Sequence, residues 1–255
     1  MGGDRNNQFN TANNRLMTQE DQLFRSKRPH IVDFAFDEAV AEVFPDMIRR
    51  SVPGFETVIP ITGLIAAESL PEGGLAYDLG CSQGATTLAL LRALGSKPCR
   101  IAAVDSSAPM LDRAAANIED PRVTFRLEDI RQTDVAGASV LLMNYVLQFI
   151  PPPDRQALLD RYFQAMLPGG LVILSEKIRF SGEADQAWSE SLHIAYKKAN
   201  GYSDLEVSQK REALEKVMLV DTEAEHRRRL EAAGFKTVRT WFRCLNWCSF
   251  VAIKD

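Results

Sequence analysis

The chain has no run of about 18 apolar residues, the length needed to cross a bilayer as a helix. Its opening stretch, MGGDRNNQFNTANNRLMTQEDQLF, is polar and lacks the apolar core of a signal peptide. A soluble, cytoplasmic protein is therefore expected. Cysteine and histidine are scarce. Cys81, Cys99, Cys244 and Cys248 show no C-x-x-C spacing, and His30, His193 and His226 lie far apart, so neither a metal nor a disulfide framework is expected. A basic excess is also missing: 30 Lys and Arg face 34 Asp and Glu, a net charge of −4. A polyphosphate backbone finds no overall attraction there, which argues against direct nucleic-acid binding.

What is present is enough apolar sequence, 45% of 255 residues, for one sizeable core. Residues 1–33 are rich in Asn, Gln, Asp and Arg and show no period. They read as a mobile arm outside the fold, leaving 34–255 as a single domain. Helical spacing follows over Phe34–Val52, ended by Pro53-Gly54, and again over Val58–Ala67.

From there apolar runs alternate with helical patterns. Strands are predicted at Leu75–Leu79, Arg100–Asp105, Val123–Leu127, Ser139–Asn144 and Leu171–Glu176, with helices at Ala85–Leu94, Ala108–Ile118 and Arg155–Met166. Strands separated by helices of this length imply an α/β fold with a parallel sheet covered on both faces. Ligands in such sheets sit at the carboxyl ends of the strands. Residues 180–219 are too long for a simple crossover; Ser203-x-x-Glu206 has capping-box spacing ahead of Leu205, Leu214, Val217 and Met218, and the segment reads as a helical lid. Thr222-x-x-Glu225 opens another helix that stops at Gly234, before two antiparallel strands, Thr237–Phe242 and Ser249–Ile253.

Chemistry concentrates at the strand ends. Tyr77-Asp78-Leu79-Gly80-Cys81-Ser82-Gln83-Gly84 is a strand, a glycine-punctuated turn and a helix start, which brings backbone N–H groups close to an anionic group. Its G-x-x-x-G spacing lacks the first glycines of a dinucleotide fingerprint, so a pyrophosphate fits poorly. The second strand ends in Asp105, placed to accept both hydroxyls of a ribose. The third is followed by Glu128-Asp129-Ile130, where a carboxylate can accept from an exocyclic amine while Ile130 covers the ring, and the fourth ends in Asn144. A glycine turn alone is often only a turn, and a lone acidic residue after a strand is commonly a helix cap. Four such features on four consecutive strands point to an adenosyl site.

With its acidic-x-Gly-x-x-x-Gly first turn, and Leu167-Pro168-Gly169-Gly170 before the fifth strand, the chain resembles the class I S-adenosylmethionine-dependent methyltransferases. The resemblance implies a Rossmann-like, mostly parallel seven-stranded sheet with an antiparallel last strand. FDEAVAEVFPDMIRRSVPGF from Phe36, YDLGCSQGATTL from Tyr77, ANGYSDLEVSQKREALEKVML from Ala199 and AGFKTVRTWFRCLNWCSFVAIK from Ala233 are similar to the carboxy-S-adenosyl-L-methionine synthases over about Phe34–Lys254.

That narrower resemblance implies a transferase that carboxylates the S-methyl group of S-adenosylmethionine with prephenate as donor, releases phenylpyruvate, and supplies a separate enzyme acting on the wobble uridine of tRNA. It implies cofactor contacts at Gly80, Cys81, Ser82, Asp105, Ser106, Asp129, Ile130 and Asn144. It also implies that Arg211 is partner to the new carboxylate, reaching into a neighbouring subunit of a homodimer. Phe55 stands where the family commonly has Tyr, which keeps the aromatic face and loses a hydroxyl.

Arg211 also reads simply as a solvated charge between Lys210 and Glu212. His193, Tyr196 and Tyr202 could line the site or serve the core or surface. Cys81 is expected as a small apolar residue of the turn rather than a nucleophile. Two other functions remain open from the residues: an ordinary methyltransferase of a small acidic molecule or tRNA, and a non-catalytic cofactor-binding protein.

Overall fold

A computed structural model describes residues 19–27 and 31–255. Helices α1 (Glu38–Ser51) and α2 (Phe55–Ser69) lead into β1 (Leu75–Leu79), α3 (Ala85–Leu94), β2 (Arg100–Asp105), α4 (Ala108–Asn117), β3 (Val123–Leu127) and β4 (Val140–Asn144). A 3-10 turn at Leu147–Phe149 precedes α5 (Pro152–Ala165), β5 (Leu171–Arg179), α6 (Glu183–Ala199) and α7 (Asp204–Leu214). The chain closes with β6 (Asp221–Thr222), α8 (Glu223–Ala233), β7 (Thr237–Cys244) and β8 (Trp247–Ile253).

The sheet runs β3-β2-β1-β4-β5-β8-β7, with the two-residue β6 beside β5. β1 to β5 pair in parallel and β8 runs antiparallel between β5 and β7, so the expected α/β architecture is present. Period-two alternation sorts the strand side chains to two covered faces. Tyr77, Leu79, Leu141, Met143 and Leu174 pack on Leu158, Leu159, Tyr162 and Leu230 of α5 and α8. Ala76, Ile101, Val140, Leu142 and Ile173 pack on Ala66 of α2, on Leu70 that caps its end, and on Leu90 and Leu94 of α3. Each such Leu or Ile contributes about 1.5–3 kcal/mol relative to exposure. At Gly63, α2 and α3 touch so closely that a Cβ would lie 2.5 Å from the Ala89 backbone.

Boundaries depart from the sequence reading for local reasons. α1 begins at Glu38 because Asp37 caps it, its Oδ1 accepting from Val40 N at 2.9 Å. β5 runs on to Arg179 because Lys177 pairs with Trp247, and Ile178 and Arg179 pair with β6. β7 and β8 extend to a tight hairpin at Leu245-Asn246, where Leu245 takes φ 51°. Both capping boxes form, at Ser203/Glu206 and Thr222/Glu225, but α7 ends at Leu214, short of Val217 and Met218.

Of the arm expected over 1–33, residues 1–18 and 28–30 lie outside the described residues. Residues 19–27 correct that expectation, because this stretch is docked. Asp21 and Phe24 are buried; Tyr202 Oη donates to Asp21 Oδ2 at 2.5 Å, and Gln209 Nε2 donates to the carbonyls of Phe24 and Ser26 at 2.8 and 3.0 Å. The anchoring groups belong to α7 and its approach, so only the full fold gives this polar segment its partners. Among the described residues no helix is long and apolar enough to cross a membrane, and no cluster of three or more His, Cys, Asp or Glu side chains converges.

Candidate active site

The carboxyl ends of β1, β2, β4 and β5 open beneath α1, α6 and α7 into a cavity of about 640 Å³. Its floor begins at the turn after β1. Gly80 has φ 75°, and a Cβ there would stand 2.5 Å from Val146 Cγ2, so both conformation and space call for glycine. The amides of Gly80 and Cys81 donate to Val104 O at 2.8 and 2.9 Å, tying the turn to β2.

Asp105 then joins the first two turns, Oδ2 accepting from Ser82 N at 2.8 Å and Oδ1 from Ser107 N at 2.9 Å. Burial pushes its carboxyl up, opposed by those amides. Behind the turn, Asp78 is buried and accepts from Thr87 Oγ1 at 2.6 Å; burial raises it to about 6. That residue anchors α3 on β1 and does not line the cavity.

Of the residues expected in the site, Phe55, Gly80, Cys81, Ser82, Asp105, Ser106, Asp129, Ile130 and Asn144 all line this one cavity. Burial pushes the Cys81 thiol up, out of thiolate chemistry. Arg131 bonds the Asp129 carboxylate through Nε at 3.1 and 3.0 Å and through Nη2 at 2.6 Å, holding it below the usual range. Asn144 Nδ2 donates to Thr86 Oγ1 at 3.1 Å; its buried Oδ1 has no partner among the described residues. A glycine turn that lets a ligand approach the backbone, a carboxylate at the end of β2 and the apolar Ile130 beside Asp129 suit an adenosyl group.

Arg211 is not among the lining residues. Its side chain is 65% exposed, with Nη2 3.6 Å from Glu190, a surface pair of little energetic weight. His193 does line the cavity: Nε2 sits 2.8 Å from Ser51 O, which assigns the proton to that nitrogen, and Asn246 Nδ2 lies 3.4 Å from Nδ1. Burial and then neighbouring lysines lower it to about 3, so it is neutral. Tyr196 donates to Arg49 O at 3.2 Å outside this cavity, and Tyr202 is buried on Asp21.

Several site residues carried no signal in the sequence reading. Tyr145, in the left-handed region at φ 63°, lies edge-on to Trp247 with centroids 5.3 Å apart and 6.1 Å from Phe55. Tyr145 Oη and Trp247 Nε1 are buried without partners among the described residues. The backbone that aims Tyr145 is held by Glu176, fully buried on β5: Oε1 accepts from Val146 N at 3.2 Å and Leu147 N at 2.7 Å, and Oε2 from Gln148 N at 3.1 Å. Lys177, Lys197 and Lys210 also line the cavity. Position at the carboxyl end of a parallel strand was the available clue for Lys177.

A methyltransferase-domain family model matches residues 76–170. The carboxy-S-adenosyl-L-methionine synthase of Marinobacter nauticus is 49% identical over 92% of this chain and 95% of its own. That of Shewanella amazonensis is 48% identical over 94% of this chain and all of its own. Solved structures share the fold at low identity. An O-methyltransferase family protein from Burkholderia thailandensis has TM-score 0.63 at 16% identity, covering 92% of this chain and 66% of that one. Human N-acetylserotonin methyltransferase, solved in complex with SAM, has TM-score 0.58 at 16% identity, covering 86% and 55%. With near-complete coverage at almost half identity, and a strand-end cavity that suits an adenosyl group, the chain belongs to the carboxy-S-adenosyl-L-methionine synthase family.

Proposed function

We propose that the chain converts S-adenosylmethionine and prephenate to carboxy-S-adenosylmethionine and phenylpyruvate. The observation that carries the reading is that residues suited to an adenosyl group and a set of lysines share one lidded cavity, in a chain whose relatives bear the synthase name. Gly80, Cys81 and Ser82 hold the amino-acid tail. Asp105 and Ser106 hold the ribose, Asp129 and Ile130 hold adenine, Asn144 Oδ1 accepts from the tail, and Phe55 covers the reacting end.

When bound, S-adenosylmethionine supplies a methyl group made acidic by its sulfonium. Prephenate loses a carboxyl group and hydroxide as its ring becomes aromatic. The carboxyl group ends on the methyl carbon, and hydroxide takes the methyl proton, so phenylpyruvate, carboxy-S-adenosylmethionine and water balance the atoms. The lid excludes solvent that would otherwise capture these species. Arg211, outside the cavity of its own chain, serves the new carboxylate across a homodimer interface, where bidentate geometry favours Arg over Lys. The product passes, in the cytoplasm, to a separate enzyme acting on the wobble uridine of tRNA.

Mass spectrometry after incubation with both substrates tests the reading. A cofactor heavier by one carboxyl group, with phenylpyruvate formed only when S-adenosylmethionine is present, is expected. S-adenosylhomocysteine as the product would instead identify a methyltransferase, and no cofactor-dependent turnover would leave a binding protein. Arg211→Ala should keep adenosine binding and lose the carboxylated product.

A further inference from the structure

Two cations at the cavity have no counter-ion in direct contact among the described residues. Lys177 projects from the end of β5 and Lys197 from α6, and both line the cavity, yet neither ammonium forms an ion pair or hydrogen bond among the described residues. Lys210, from α7, differs: its Nζ is 3.4 Å from Asp21 Oδ2, 3.0 Å from Ser51 Oγ and 3.2 Å from Tyr202 Oη, so its charge is already met.

The surroundings of the unmatched pair form one compartment. Lys177 pairs across the sheet with Trp247, whose ring stands edge-on to both Tyr145 and His193, with centroids 5.3 and 6.2 Å apart. His193 precedes Lys197 by one helical turn on α6, which puts both on the same face. Tyr145 Oη and Trp247 Nε1 add two unpartnered donors to the same compartment. The neutral His193 offers no charge of its own. Among the described residues Glu190 is the carboxylate acting on Lys177, without contacting it, and it also lies 3.6 Å from Arg211. Burying two like charges beside each other is costly unless an anion completes the site.

We propose that Lys177 and Lys197 are the receptor for the two carboxylates of the donor substrate, with Tyr145 and Trp247 walling its ring. This rests on the synthase reading for the donor's identity, while the receptor itself rests on the unmatched charges. Burial, then the Lys177, Lys210 and Arg211 charges, lowers Lys197 to about 7, which is the state a bound dianion would reverse. Because the two ammonium groups come from a core strand and from the lid, a dianion bridging them also draws the lid onto the sheet.

The experiment compares wild type with Lys177→Met and Lys197→Met, which keep the aliphatic stems. KM for prephenate and for S-adenosylmethionine is measured separately, alongside calorimetric binding of phenylsuccinate, an unreactive aromatic dicarboxylate. Each variant is expected to raise the prephenate KM about tenfold or more, with the S-adenosylmethionine KM held within about twofold. Phenylsuccinate affinity should fall in parallel, and the thermal midpoint without ligand should stay level or rise. An unchanged prephenate KM with lowered kcat would overturn the proposal, since it would make a lysine a proton carrier rather than a receptor. Undiminished phenylsuccinate binding would overturn it too. If wild type forms no carboxylated product from prephenate, the synthase reading fails, yet the phenylsuccinate comparison still decides the receptor.

Discussion

Replacing Glu176 by Gln sets two energies of opposite sign against each other. The Gln amide keeps the oxygen facing Val146 N and Leu147 N but places an NH2 opposite Gln148 N, which loses one bond and leaves a buried donor unpaired. That costs about 1–3 kcal/mol at any pH. Against it stands the burial that pushes the Glu176 carboxyl from 4.5 to about 8, even with the Leu147 and Gln148 amides and the Arg155 charge pulling the other way. Between those values the folded chain binds a proton that the unfolded chain has released. The wild type is therefore favoured below pH 4.5 and loses stability as pH rises through about 8.

At 1.36 kcal/mol per pH unit the whole gap is about 5 kcal/mol, of which about 3 has gone by neutral pH. Glutamine has no such slope. The variant should be less stable than wild type by about 1 kcal/mol near about pH 5, and more stable by about 2–4 kcal/mol near about pH 8.5. Urea unfolding at both pH values measures this, and taking the difference cancels shared groups such as Asp78. Parallel stability curves for the two proteins would refute the reasoning.

Gly80→Ala should cost about 1–2 kcal/mol for the left-handed backbone, plus displacement of Val146, and should weaken S-adenosylmethionine binding in calorimetry. Arg155 is fully buried and donates to Ile150 O, Gln148 O, Leu219 O and Asp221 Oδ2, the last at 2.6 Å. Arg155→Met should lower stability by about 3 kcal/mol in urea titration, at the low end for a broken buried pair because Arg229 still holds Asp221 at 3.0 Å. Ser203→Ala should cost about 1 kcal/mol by the same measurement, through loss of the α7 cap. For the free enzyme, kcat/KM for the donor should fall as pH rises above about 7, because Lys197, facing Lys177 from β5 and Lys210 and Arg211 from α7, loses its proton there. A flat profile from pH 6 to about 9 would separate Lys197 from donor capture.

What was legible in the sequence was what is encoded locally. The first three strands and α3 fell at the expected residues because turn residues bound them and because strand and helix periods differ. The two capping boxes were readable since each depends on residues three apart. Gly80, Asp105, Asp129 and Asn144 were readable as candidates because each stands at or just after the end of a strand, and they line one cavity, whereas Phe55, on α2, came only from the family resemblance. Lys197 carried no local signal, and its place beside Lys177 at one cavity depends on how α6 sits in the full fold. Tyr145 gave no sign of its left-handed backbone, which Glu176 imposes from the next strand. Leu245-Asn246 lacks the Asn-Gly signal of a tight hairpin, so the last two strands were drawn short.

The docking of Asp21 means that trimming the chain back to its first helix would not be a neutral act. Such a deletion would strip Lys210 of the carboxylate 3.4 Å from its Nζ and leave Ser51 Oγ and Tyr202 Oη as its contacts at the cavity wall. The first described residues thus act as an internal counterweight, a carboxylate at position 21 setting the potential at a cavity lysine 189 residues further along the chain.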